Sequence, residues 1–185
     1  EVAELKLENG KAVDPSELEK FCSANPDSKA ILFQASETST GVRMPVKEIA
    51  GIAKKRGMLS VCDAITALGV MDLPTDEWGL DVVITGSQKA MMIPPGLAFI
   101  ALSDSAWKKS GSSDLPRFYF DLKKEKSAHL KNQTAWTPAI SLFLGLAEAL
   151  RMLREEGLEK TFRRHEILMK ATHAGIAALG LELLA

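Results

Sequence analysis

Short apolar runs alternate along this chain with polar turns and with stretches of helical period. Residues 2–7 alternate as Val-Ala-Glu-Leu-Lys-Leu and predict a strand, closed by the turn Glu8-Asn9-Gly10-Lys11. Asp14 stands where it can cap a helix with Pro15 in its first turn, continuing to Ala24. Ile31-Leu32-Phe33-Gln34-Ala35 reads as a strand that ends in the polar turn Ser36 to Gly41. After Pro45, the apolar residues Val46, Ile49, Ala50 and Ala53 fall on one helix face, and Gly57 ends that helix. Met58 to Cys62 predict a buried strand ending at Asp63, and a connection through Trp78 leads to the strand Val82 to Thr85. Strand, helix, strand, connection and strand at this spacing predict an α/β fold of parallel units with helices covering both faces of the sheet.

The stretch from Asp81 to Phe99 departs from a plain alternation. A buried strand runs into Gly86-Ser87-Gln88-Lys89, and Pro94-Pro95-Gly96 then turns the chain into a second apolar strand, Leu97 to Leu102. A lysine between two core strands is unusual unless it has a partner or a chemical task. Beyond it, Lys123-Lys124-Glu125-Lys126 predicts a solvated loop, and Thr137-Pro138 opens an apolar helix from about Ala139 to Arg154. A second long helix follows Gly157, with Leu158, Phe162, His165, Met169, Thr172, Ile176 and Leu179 on a mostly apolar face expected to pack. Gly180 ends it, and Leu181 to Ala185 reads as the start of a strand.

Composition narrows the classes. Hydrophobic residues at 46% and charged residues at 25% fit an ordinary soluble globular domain. A formal net charge of −1 gives no electrostatic case for nucleic acid or an anionic membrane as partner. The longest uncharged run, Ala90 to Leu102, is broken by prolines and is too short to span a bilayer, and no secretory signal opens the chain. Cys22 and Cys62 stand far apart without metal-ligand spacing, which favours free thiols in a reducing compartment, cytoplasm or organelle matrix, with a single disulfide as the alternative. His129, His165 and His173 show no ligand spacing either; His165 reads as a hydrogen-bonded interface residue.

Three polar clusters lie at the carboxyl ends of predicted strands: Ser36 to Gly41, Asp63 to Thr66, and Ser87 to Lys89. In open parallel sheets, ligands bind in the crevice outside those ends. Taken singly, each cluster has a bland explanation: a solvated lysine, a turn aspartate, a Ser/Thr/Gly turn. Together they bring a carboxylate, hydroxyls and an amine to one crevice. Pyridoxal phosphate needs such a set, a lysine for its Schiff base and an acid against its pyridine nitrogen.

Glu37-Thr38-Ser39-Thr40-Gly41, then Asp63-Ala64-Ile65, then Gly86-Ser87-Gln88-Lys89-Ala90 with Pro94-Pro95-Gly96, resemble the class V pyridoxal-phosphate aminotransferases. The nearest branch is that of the alanine–glyoxylate and serine–pyruvate enzymes. Thr137-Pro138-Ala139-Ile140-Ser141-Leu142, Glu148-Ala149-Leu150 and Glu156-Gly157-Leu158-Glu159 extend the likeness, which runs from about Ile31 onward. The resemblance implies a fold-type I transferase whose large domain is a mainly parallel sheet flanked by helices. It implies Lys89 as the Schiff-base and catalytic lysine, and Asp63 as partner of the pyridine nitrogen. Ile65 would lie against one ring face, Thr38 near the ring hydroxyl, and Gln88 at the phosphate. Thr137 would reach the phosphate of the neighbouring subunit's cofactor, which implies a homodimer with a shared active site.

The resemblance also implies a division: residues 1–156 as part of the cofactor-binding large domain, and 157–185 as a connector helix with the start of a carboxyl-terminal small domain. Family members carry a glycine-rich phosphate loop on the amino-terminal side and a substrate-carboxylate arginine in that small domain. Neither is in this stretch, so the chain alone is expected not to turn over substrate. The implied reaction of the whole protein is transfer of an amino group from alanine or serine to glyoxylate or pyruvate, with no metal. Two rivals remain at this point. Cysteine desulfurases share fold and cofactor but usually have histidine where Gln88 stands, and a non-catalytic α/β scaffold would leave Lys89 incidental.

Overall fold

The computed structural model describes residues 1–185. Four strands, β1 (Ala30–Gln34), β2 (Leu59–Asp63), β3 (Val82–Gly86) and β4 (Ala98–Leu102), form one sheet in that spatial order. β1, β2 and β3 are parallel, and β4 returns antiparallel to β3. The helices are α1 (Pro15–Ala24), α2 (Val46–Lys55), α3 (Thr75–Trp78), α4 (Asp104–Gly111), α5 (Leu122–His129), α6 (Ile140–Glu156) and α7 (Leu158–Ala178). The mixed, mostly parallel α/β architecture thus agrees with the sequence pattern. None of the helices is long and apolar enough to cross a membrane.

Local chemistry accounts for the boundaries. The Asp14 carboxylate accepts from the N–H groups of Ser16 and Glu17 at 2.7 and 3.3 Å, satisfying two donors that the first turn of α1 would leave orphaned. Val46, Ile49, Ala50, Ile52 and Ala53 of α2 are buried. Val46 and Ala50 meet Ala35, Cys62 and Val83 of the sheet in one core cluster; Ile49, Ile52 and Ala53 meet Leu18 and Cys22 of α1 in a second. Burial of a side chain such as Ile49 contributes about 1.5–3 kcal/mol. Both cysteines are free and buried. Burial, with the neighbouring Asp63 charge, pushes the Cys62 thiol up to about 12, so it is a packing residue and not a nucleophile.

A second clamp sits at the opposite end of the strands. Asp81 accepts from the Ser60 N–H at 3.1 Å and from the hydroxyls of Ser60, Ser103 and Ser105 at 3.3, 2.7 and 2.7 Å. The Ser60 hydroxyl accepts in turn from the Asp81 N–H. Burial pushes the Asp81 carboxyl up, but donation from Ser105, Ser103 and Ser60 outweighs it and holds the group below its ordinary range. A depressed folded value means stability fully present above the unfolded aspartate range and lost as pH falls through the folded value. Asp81→Ala is expected to cost about 2–3 kcal/mol, because Ser60 is fully buried and loses its partner. Urea unfolding at neutral and acid pH checks this: the difference between wild type and variant should shrink at low pH.

Several expectations change. Residues 2–7 join no sheet; their Leu5 and Leu7 pack against the second core cluster instead. Lys123 to Lys126 is not a loop but part of α5. Asp121 caps that helix, Lys124 lies 4.3 Å over the Phe118 ring, and Lys126 lies 4.3 Å over Trp107. Leu181 to Ala185 forms no strand, and its Leu184 carbonyl packs against Gly10. Helices do not cover both sheet faces. By register, Leu32, Asp63, Ile84 and Ile100 share the face opposite the α2 core, and Leu32 there is 74% exposed. On α7 the predicted apolar face is half-buried at Phe162, His165 and Ile176, while Leu158, Met169, Thr172 and Leu179 are exposed. His165 Nδ1 does pair with the Thr161 carbonyl oxygen, at 2.8 Å.

Candidate active site

The carboxyl ends of β1, β2 and β3 open side by side. The Ala35 N–H donates to the Asp63 carbonyl at 2.7 Å, and the Ala64 N–H donates to the Ile84 carbonyl at 2.8 Å. The ladder is therefore extended past the strand ends, and the three loops that leave them start from fixed positions.

The loop after β1 closes on itself. Ser36 bridges to Arg43, and the Glu37 N–H donates to the Val42 carbonyl at 2.8 Å. The Glu37 carboxylate accepts from the Ser39 N–H at 2.9 Å and from its hydroxyl at 2.8 Å. Donation from that N–H, and then from the hydroxyl, holds the Glu37 carboxyl below its usual range. Thr38, between them, is exposed at the tip. The Thr66 hydroxyl donates to the Ser36 carbonyl at 2.8 Å, tying this loop to the one after β2.

Asp63 ends β2 with its carboxylate exposed, and one oxygen accepts from the Ile65 N–H at 2.9 Å. This Asx turn fixes the carboxylate's direction and sends Ile65 toward β3. Gly86, the last residue of β3, is where the two loops meet. A Cβ there would lie 2.8 Å from the Gln88 carboxamide oxygen and 3.2 Å from Ile65 Cδ1. A residue without a side chain therefore lets Ile65 and Gln88 approach the same point.

Lys89 follows and is exposed. Its carbonyl accepts from the Met92 N–H at 3.0 Å, in a tight turn that holds Met92 at φ +57°, a left-handed conformation that costs a non-glycine residue about 1 kcal/mol or more. Gly69, from the loop after β2, comes up against the residue beside the lysine: a Cβ on it would lie 3.0 Å from Ala90 Cβ, and its φ of +77° already demands glycine. On the far side, Gly96 and Ile93 of the same segment abut Leu142 and Gly145 of α6.

Of the six residues singled out in the sequence, Asp63, Ile65 and Gln88 are brought together on the approach to Lys89. Thr38 is joined to them through the Thr66–Ser36 bond. Thr137 stands apart, exposed before the start of α6, the helix against which the lysine segment rests. Pattern reading passed over Gly69, Gly86 and Ser87 as separate contributors; an isolated glycine inside a connection and a small residue in an apolar strand end were the signals available. A groove of about 700 Å³ lies elsewhere, between Lys54, Asp81, Ser103 and Lys108 at the other end of the strands, away from the loops that carry the paired chemistry.

The family description "Aminotransferase class-V" matches residues 1–184. A "Soluble hydrogenase, small subunit" of Synechococcus sp. is 48% identical over 85% of this chain and 41% of its own length. The serine–glyoxylate aminotransferase of Methylorubrum extorquens is 36% identical over 94% of this chain and 45% of its own. Among solved structures, alanine–glyoxylate aminotransferase from Nostoc sp. superposes with a TM-score of 0.88 and 26% identity, covering 94% of this chain and 46% of that one. The chain spans about half the length of the relatives it matches. A family match over residues 1–184, with a fold likeness over 94% of the chain, means that this chain belongs to the class-V aminotransferase family.

Proposed function

We propose that the full-length protein is a pyridoxal-phosphate-dependent transaminase that moves an amino group from a small amino acid, alanine or serine, to a 2-oxo acid, glyoxylate or pyruvate. The observation that carries this reading is the meeting of Ile65 and Gln88 over Gly86, beside the Asp63 carboxylate and on the strand that leads to Lys89. A Cβ-free floor flanked by an apolar side chain and an amide suits a flat ring bearing a phosphate. The carboxylate and amine supply the two charged partners such a ring needs, so the donor set fits the cofactor. Relatives named for glyoxylate as a substrate support that acceptor.

When bound, the cofactor supplies an electron sink for bond cleavage at the substrate's α-carbon. Each residue then has one task. Lys89 would hold the cofactor through Nζ and, when free, would carry a proton to and from the substrate's α-carbon. Asp63 keeps a proton on the ring nitrogen; its second oxygen is free for this, the first being held by Ile65 N–H. Ile65 bears on one ring face and excludes water there. Gln88 binds the phosphate and Thr38 the ring hydroxyl. Thr137 contacts the cofactor of a second copy, which makes the active form a homodimer. Exposed apolar side chains around it, Phe118, Phe120, Ile140 and Leu144 among them, support a surface that is covered in that dimer. In this reading the large domain extends to residue 156, and the helix after Gly157 leads into a second domain.

Gln88 in place of the histidine usual in desulfurases favours transamination. The test uses full-length protein loaded with pyridoxal phosphate. Amino transfer from alanine or serine to glyoxylate or pyruvate is expected, without sulfide from cysteine. Sulfide release without transfer would replace this function by desulfuration; neither reaction would leave the scaffold.

A further inference from the structure

Ser87 is fully buried, yet its hydroxyl belongs to neither the core nor the crevice. It donates to the Pro94 carbonyl at 2.8 Å and accepts from the Leu97 N–H at 3.2 Å. Its main chain does the same work: the Ser87 N–H donates to the Leu97 carbonyl at 3.1 Å, and the Ile93 N–H donates to the Ser87 carbonyl at 3.4 Å. Four hydrogen bonds from one residue therefore close the segment 87–97, and Lys89 is the third residue of that segment. Pro94 lacks an N–H and its carbonyl faces a buried site, so the Ser87 hydroxyl is the donor that satisfies it.

We propose that Ser87 is the positioning residue of Lys89: its hydroxyl closes the segment and thereby sets the direction in which the lysine leaves β3. The inference rests on the reading of Lys89 as the cofactor lysine. It does not give Ser87 a contact with the cofactor, because both hydrogen-bonding roles of the hydroxyl are taken within the chain. The neighbouring constraints act in the same sense. Gly69 bounds the segment on one side of Ala90, Leu142 and Gly145 bound it on the other, and the strained Met92 turn caps the Lys89 carbonyl. Rigid flanks leave the hydroxyl as the tie that shortens the loop, and a shorter loop raises the effective concentration of the amine at one point in the crevice.

Two probes separate positioning from general support of the pocket. Pyridoxal phosphate condenses with the lysine: the amine nitrogen bonds to the aldehyde carbon, a C=N link forms and water leaves. 4′-Deoxypyridoxine 5′-phosphate has the same ring and phosphate but no aldehyde, and cannot form the link. Full-length protein freed of cofactor is titrated with each. Ser87→Ala is expected to weaken pyridoxal phosphate about tenfold, the scale of one lost buried tie, and to leave the analogue within about twofold. Equal losses for both ligands, or no loss for either, would overturn the proposal. If Ser87→Ala does not fold, Ser87→Cys keeps the volume with a weak donor and should show the same split. Failure of the underlying reading is recognised separately, since borohydride would then trap the cofactor away from Lys89 in the wild-type protein.

Discussion

Full-length protein carrying Lys89→Ala is expected to lose transaminase activity by about 10⁴-fold or more, while still binding pyridoxal phosphate through its ring and phosphate contacts. The size follows from two losses at one atom. The amine no longer holds the cofactor covalently in register with Asp63 and Gln88, and no group remains to carry the α-proton. Within this chain Glu37 is tied to Ser39, and Cys62 is fully buried with its thiol pushed up to about 12. Steady-state kinetics with alanine and glyoxylate, beside a binding titration, check both halves. Partial rescue by a small soluble amine is expected. Wild-type activity in the variant would remove Lys89 from the chemistry altogether.

The second large effect is at Asp63. Asp63→Asn keeps the size and can still accept the Ile65 N–H, so the loop after β2 should hold its shape. What disappears, in the proposed function, is the negative charge beside the ring nitrogen. Loss of a charge aimed at a developing transition state costs on the order of 10²–10³-fold in rate, and kcat should fall by about that factor with cofactor affinity changed far less. Kinetics and cofactor titration on the same preparation measure the two quantities. Full activity in Asp63→Asn would contradict the acid–nitrogen pairing.

Much of the fold and the placing of the candidate site were legible because their residues announce themselves locally. Asp14 caps a helix from two residues away, and Val46, Ile49, Ala50 and Ala53 repeat at helical spacing; both needed only neighbours in sequence. Asp63 ends β2, while Thr38 and Lys89 lie in the loops that leave β1 and β3, and the loops beyond the strand ends of a parallel sheet converge whatever the rest of the chain does. What escaped depends on partners distant along the chain. The lysines after Asp121 read as a solvated loop because their aromatic partners, Phe118 and Trp107, are invisible to charge patterning. Residues 2–7 alternate like a strand, but alternation does not supply a neighbouring edge, and Leu5 and Leu7 settle on α1 and α2 instead. Gly69 and Gly86 matter only because another loop comes within about a van der Waals radius of them. Ser87 reads in sequence as part of a motif, and its closure onto Pro94 and Leu97 depends on residues seven and ten positions away.

The same logic explains the uncovered surfaces. A mostly parallel sheet is stable when both faces are buried, yet Leu32, Ile84 and Ile100 are exposed on the face that bears Asp63. Along α7, Leu158, Met169 and Leu179 are exposed as well. These are the positions at which the periodicity of the sequence is right and the partner is not within these residues.

The most direct test of the account is covalent. Full-length protein loaded with pyridoxal phosphate is reduced with borohydride, digested, and its peptides weighed. The account predicts a single cofactor adduct, on the peptide that contains Gly86-Ser87-Gln88-Lys89, with the mass increment on Lys89. An adduct on another lysine, or no adduct in protein that is otherwise folded and saturated, would contradict it.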